Sequence, residues 1–126
     1  MVQTRRRDEG GTGAILVILV VLLLVAQLPR VLGQPGYLGC YEDSKDDRAL
    51  GGPSWKDVIE QSWEWCIHSC VSYQYMGLEF GNECFCGRNV DYGRHGSRSG
   101  CTMACEGNSS ETCGGRNRIE VYRGET

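Results

Sequence analysis

Residues 55–73 read WKDVIEQSWEWCIHSCVSY, and residues 75–87 follow as YMGLEFGNECFCG. In the first stretch Ile59, Trp63, Cys66, Cys70 and Tyr73 recur at steps of three and four, the pattern of one face of an amphipathic helix. Asp57, just after Pro53 and Ser54, supplies a negative charge for its first turn. The second stretch alternates on both sides of Gly81-Asn82, which predicts two short strands joined by a turn, a hairpin. Cys66 and Cys70 lie four residues apart, about 6 Å along a helix face. Cys84 and Cys86 lie two apart, about 6.8 Å along a strand face. Two thiol pairs with nearly equal separation can form side-by-side bridges, Cys66–Cys84 and Cys70–Cys86, with the crossed pairing as the rival.

The other four cysteines extend this framework. Cys105 and Cys113 bracket a polar loop of seven residues that a single bridge can close. Cys40 and Cys101 then remain for each other, in a bridge spanning the longest loop. Eight cysteines permit 105 connectivities on sequence alone, so these pairings are geometric expectations. None of the eight lies in the first 39 residues. An even number of closely spaced cysteines downstream of an apolar segment marks an exported, disulfide-held domain.

The apolar segment is Ala14–Ala26, preceded by Arg5-Arg6-Arg7 and followed by Val31-Leu32-Gly33. A basic region, an apolar stretch and small residues before Gln34 make residues 1–33 a secretory signal peptide, with cleavage expected after Gly33. The alternative is an uncleaved signal anchor. As a helix the apolar run rises only about 20 Å, short of a hydrocarbon core of about 30 Å. In both cases the cysteines face an oxidising space, and the protein is expected to be secreted or to face outward from a membrane.

Residues 34–126 then form one domain, with its core at 37–122. Four arginines and two acidic residues belong to the leader, so the remaining 93 residues carry a net charge near −5. That balance argues against nucleic acid or an anionic membrane surface as partner. A chain this short buries only about 60–65% of its unfolded surface, and cross-links must make up the difference. The expected fold is a small disulfide-rich α+β domain: a short antiparallel sheet or hairpin, one crossing helix and four disulfides. Cys-x-Cys and Cys-x-x-x-Cys spacings suit metal only in a reduced compartment, so no metal site and no cofactor is expected.

Residues throughout this region carry a family resemblance. Gly39-Cys40-Tyr41-x-Asp43, Arg48-x-Leu50, Cys66-x-x-x-Cys70, the run GLEFGNECFCG, Cys101-x-x-x-Cys105-x-Gly107, Glu111-x-Cys113-Gly114-Gly115 and Ile119-x-Val121-Tyr122 occur in order. Together they resemble the WSC domain of fungal cell-wall stress sensors, which is similar to modules in Kremen-type receptors and polycystins. The resemblance covers Tyr37 to Tyr122. It implies a compact α+β fold with first-to-sixth, second-to-fourth, third-to-fifth and seventh-to-eighth disulfides, and a carbohydrate-binding role. The sensor's Ser/Thr stalk and C-terminal span do not follow in this sequence, so sensor signalling is not inferred.

No catalytic constellation emerges, and the protein is not expected to be an enzyme. His68 falls on the helix face opposite Cys66 and is read as solvent-exposed. His95, in a Gly- and Arg-rich segment, is read as a loop residue. Glu79 and Glu83 flank the hairpin turn and are expected to support it rather than act as a glycosidase pair. The acidic run Glu42-Asp43-Ser44-x-Asp46-Asp47 lacks the geometry of a twelve-residue calcium loop and is read as a solvated loop. A sugar site needs an aromatic face with polar groups around it. Trp63 shares the helix face with the cysteines and is assigned to the core. Trp55, Trp65 and Tyr92 are the candidate platforms, with Arg94, Arg116 and Asn117 as polar partners. Asn108-Ser109-Ser110 is an N-glycosylation sequon. An extracellular glycan is the expected partner. The alternatives are a protein-interaction module bound to a cell-surface protein and a structural secreted domain or fragment.

Overall fold

The computed structural model describes residues 5–26 and 34–125. The chain divides into two units, Met1–Gly33 and Gln34–Thr126. In the first unit, helix α1 (Arg5–Ala26) carries exposed apolar side chains from Ile15 to Leu24. No helix among the described residues is long and apolar enough to cross a membrane. The cleavage site expected after Gly33 lies outside the described residues.

The second unit is built on a five-stranded antiparallel sheet. Its strands are β1 (Tyr37–Glu42), β2 (Ser54–Trp55), β3 (Tyr75–Glu79), β4 (Glu83–Gly87) and β7 (Arg118–Arg123), in the order β1-β7-β3-β4-β2. A separate ribbon pairs β5 (Ala104–Cys105) with β6 (Asn108–Thr112). The expected hairpin is β3–β4, with Glu79 paired to Glu83 across the turn. Its loop is one residue longer than the Gly81-Asn82 turn read from the alternation. Phe80 joins it in left-handed backbone, φ 52°.

Helix α2 is shorter than its periodicity predicts, running from Trp63 to Ser69. Ser62 stops it: its extended backbone and its side chain, which accepts a bond from the Trp65 N–H at 3.0 Å, cap the first turn. The residues before Ser62 are held by the hairpin instead. The Val58 N–H donates to the Asn82 carbonyl, and the Gln61 side-chain amide donates to the Glu83 carbonyl at 2.6 Å. Asp57 therefore stands outside the helix, in left-handed backbone, and Ile59 is 76% exposed rather than buried on the helix face.

Each face of the sheet has its own core. On the helix side, Cys66, Ile67, Cys70, Met76, Leu78, Cys84, Cys86, Cys105, Cys113 and Tyr122 are buried, flanked by Trp63, Trp65 and Tyr73. On the opposite side lie Ala49, Leu50, Phe85, Ile119 and Val121, flanked by Leu38, Tyr41, Tyr75 and Tyr92. The period-2 alternation of β3 makes this division, sending Met76 and Leu78 one way and Gly77 and Glu79 the other. Gly77 has no room for a side chain: a Cβ there would stand 2.3 Å from the Ile119 Cδ1.

The disulfides are Cys40–Cys101, Cys66–Cys84, Cys70–Cys86 and Cys105–Cys113, and no cysteine among the described residues is free. The two helix-to-hairpin bridges are uncrossed, with Cα separations of 5.6 and 5.3 Å. The domain is thus a small disulfide-rich α+β fold.

Candidate functional site

Antiparallel pairing brings the C-terminal ends of β1 and β3 beside the N-terminal ends of β7 and β4. The loops leaving these ends enclose a groove of about 870 Å³. Asp43 and Arg48 come from the segment after β1, Lys56 follows β2, Glu79, Phe80 and Glu83 form the hairpin tip, and Arg116 and Asn117 precede β7.

The floor is a buried ionic cluster. Asp43, with no side-chain exposure, accepts the Ala49 N–H at 2.7 Å and the Arg48 guanidinium at 2.8 Å. The same Arg48 nitrogen reaches a Glu79 carboxyl oxygen at 3.3 Å. Arg48 also lies over the Phe85 ring, its Cζ 4.8 Å from the centroid, so the ring face adds a cation–π contact to the cluster. The other Glu79 oxygen is buried without a hydrogen-bond partner. Burial first, then the neighbouring Asp43 carboxylate, pushes the Glu79 carboxyl up to about 8, against the pull of Arg48. Protonation leaves one anion facing one cation, a far cheaper arrangement to bury than a net charge. Asp43 is therefore not part of a solvated loop, and Glu79 is not a plain turn support. Both were misjudged from sequence because Arg48 lies five residues from one and 31 from the other.

The groove's lip is set by two residues with left-handed backbone, Phe80 at φ 52° and Asn117 at φ 55°. The Phe80 N–H donates to the Gly115 carbonyl, and the Asn117 carbonyl accepts the Asp43 N–H, so both turns are tied to the groove walls. Left-handed backbone is costly for a residue such as phenylalanine, and Phe80 is nonetheless 45% exposed. Sequence reasoning missed Phe80 because the β3 alternation ran through it unbroken.

The structure gathers only part of the expected site. Arg116 and Asn117 line the groove, and so does His95, whose ring nitrogen lies 2.8 Å from the Asp47 carbonyl oxygen. Arg94 serves as a clamp. It donates to both Asp47 carboxylate oxygens, at 2.8 and 3.1 Å, and to the carbonyls of Asp47, Arg48, Ala49 and Asp91. Those bonds hold the segment that carries Arg48. Trp55 and Tyr92 stand on opposite faces of the sheet and cannot form one platform. Trp55, opposite Cys84 on edge strand β2, meets Trp65 edge-on at 5.9 Å on the helix side. Tyr92 packs edge-on against Tyr41 and Tyr75, at 5.3 and 4.9 Å, on the other side. His68 is exposed. Asn108 lies in exposed strand β6, its side-chain oxygen accepting bonds from the Ser110 N–H and hydroxyl.

A family model of the WSC domain matches residues 37–115. The chain is similar to Kremen protein 1 of Mus musculus, 38% identical over 92 residues, covering 70% of this chain and 19% of the relative. Kremen protein 2 of Homo sapiens is 39% identical, with coverage of 70% and 20%. A WSC domain-containing protein of Arthroderma benhamiae is 37% identical over 86 residues, with coverage of 68% and 12%. The chain thus spans a fifth or less of the length of these relatives. With the cysteine framework, the fold and the matched span in agreement, the chain belongs to the WSC domain family.

Proposed function

We propose that residues 34–126 are an extracellular-facing, non-catalytic glycan-binding module, and that residues 1–33 are the leader that exports it. The observation that carries this reading is the groove beside Phe80. An exposed aromatic ring held in costly backbone stands at the lip of a polar cleft with a guanidinium at its floor. Such a ring offers a flat apolar face to a sugar's C–H surface, while guanidinium, amide and carboxyl groups meet the hydroxyls. Backbone strain of this kind is retained where a surface has a task. Arg116 and Asn117 supply polar contacts at the rim, and the N-glycan expected at Asn108 sits on the separate β5–β6 ribbon. A broad glycan array, probed with the chain from a secretory host, tests the proposal: saccharide-specific signal that disappears on reduction supports it, and silence removes it. Mass analysis of the secreted product tests the leader, with Gln34 as the expected first residue.

A second reading, a module that binds a cell-surface protein, is favoured by the Trp55–Trp65 pair, of which Trp55 is 37% exposed at a sheet edge. Tryptophans of this kind anchor protein interfaces. Array silence together with a protein partner whose capture is lost in Trp55→Ala selects this reading.

A further inference from the structure

The charges around the groove specify the ligand more narrowly than "a glycan". Of the acidic side chains that line it, Glu42 is paired with Arg98 at 2.8 Å, and Asp43 is fully buried against Arg48. Glu83 keeps 14% side-chain exposure and meets Lys56 at 3.9 Å. Glu79 is buried, and its burial favours the neutral acid. The cations are arranged in the opposite way. Lys45 and Arg116 are exposed at the rim and make no ion pair or side-chain hydrogen bond with other described residues. Lys56 is half exposed, and Arg48 retains 20% side-chain exposure at the floor. A second, smaller depression of about 330 Å³ continues from the groove past Arg48 and is lined again by Lys45, Arg48 and Lys56. Among the side chains that line the groove, the solvent-facing charge left without a partner is therefore positive, on a domain whose net charge is near −5.

From this arrangement we infer that the groove binds an anionic saccharide, one bearing carboxylate or sulfate groups, with Phe80 stacked on a sugar ring and Lys56 and Arg116 contacting the anion. The inference rests on the glycan-binding reading above. Arg48 already serves Asp43 and Glu79, so it adds a local field at the floor more than a free hydrogen-bonding fork. A basic site on an acidic domain also discriminates. Polyanions in general are repelled by the rest of the surface, and only those that seat in the groove are held.

The test uses one β-1,3-glucan in two forms, unmodified and carboxymethylated, with poly-L-glutamate as an anion lacking sugar rings and dextran sulfate to separate sulfate from carboxylate. The secreted chain is passed over each immobilised polymer at low and at physiological salt. Carboxymethyl-glucan is expected to retain the protein at least tenfold more strongly than unmodified glucan. Lys56→Ala/Arg116→Ala should reduce that retention about tenfold, the scale of one to two charged contacts. Arg88→Ala is the control. Arg88 stacks on Tyr73, 4.4 Å from its ring centroid, just beyond β4 at the end of the hairpin away from its turn, and its loss should change nothing. Equal or stronger retention on unmodified glucan overturns the anionic inference and leaves the glycan reading standing. Equal retention on poly-L-glutamate overturns the saccharide part. No retention on any saccharide, together with array silence, overturns both.

Discussion

Arg48 and Glu79 meet at 3.3 Å while the same guanidinium nitrogen holds Asp43 at 2.8 Å, so one cation is divided between two buried carboxyl groups. The buried charge balances when Glu79 keeps its proton. Its carboxyl is raised from an ordinary value of 4.5 to about 8. Folding therefore takes up a proton between those two pH values, and stability from this group is fullest below about 4.5 and is lost as pH rises toward 8. The melting temperature should be higher at pH 5 than at pH 8. Glu79→Gln, neutral throughout, should flatten most of that slope. Glu120 leaves a residual slope of the same sign, because burial raises its carboxyl too, against the Gly114 N–H and Tyr122 hydroxyl that donate to it. An unchanged slope in Glu79→Gln would locate the proton elsewhere.

Phe80 separates stability from binding. Replacement by glycine relieves about 1–2 kcal/mol of left-handed strain. It restores about 0.4–1 kcal/mol of unfolded-chain freedom and loses the contacts of a half-exposed ring. The melting temperature of Phe80→Gly should stay level or rise, while retention on carboxymethyl-glucan falls at least tenfold. A drop in melting temperature of the size seen for a core phenylalanine would make Phe80 a packing residue instead.

Arg94 should prove structural in a way that its position in a Gly-rich loop conceals. Arg94→Ala removes a bidentate carboxylate contact and four carbonyl bonds at once. The expected cost is about 1–2 kcal/mol in denaturant unfolding. Arg94→Lys should recover little of it, because an ammonium cannot reproduce the planar fork. Full recovery with lysine would reduce the contact to simple charge.

The bridges differ in the loops that they close. Cys40–Cys101 spans 61 residues and Cys105–Cys113 spans eight. Chain-entropy arguments give the longer loop roughly 1.5–2 kcal/mol more stabilisation. Replacing both cysteines of each pair by serine should rank the variants in that order by denaturant midpoint.

The two helix-to-hairpin bridges were readable from sequence because their geometry is local, whereas Cys40–Cys101, 61 residues apart, followed only by elimination and from the family resemblance. Four thiols on a helix and a hairpin within 21 residues have matched spacings, and those spacings restrict which bridges can form. The site was not readable in the same way. Asp43, Arg48 and Glu79 meet only after β1 and β3 have each paired with β7, and no spacing announces that. The strand that carries Trp55 was not legible because β2 is two residues long and is defined wholly by its partner β4. The same pairing fixes which face Trp55 occupies, and so separates it from Tyr92. One signal was present in the sequence. The alternation of β3 puts Glu79 on the side of Gly77, opposite Met76 and Leu78, where a second layer must cover it.

Six of the eight cysteines sit in the helix-side core, whereas the groove is assembled from turns at the strand ends on the other layer. Rim residues such as Lys45, Lys56 and Arg116 can be exchanged without touching a sulfur atom or a core side chain. The cross-linked half thus works as a chassis and the rim as an interchangeable fitting, which makes the domain a natural starting point for libraries selected toward new ligands.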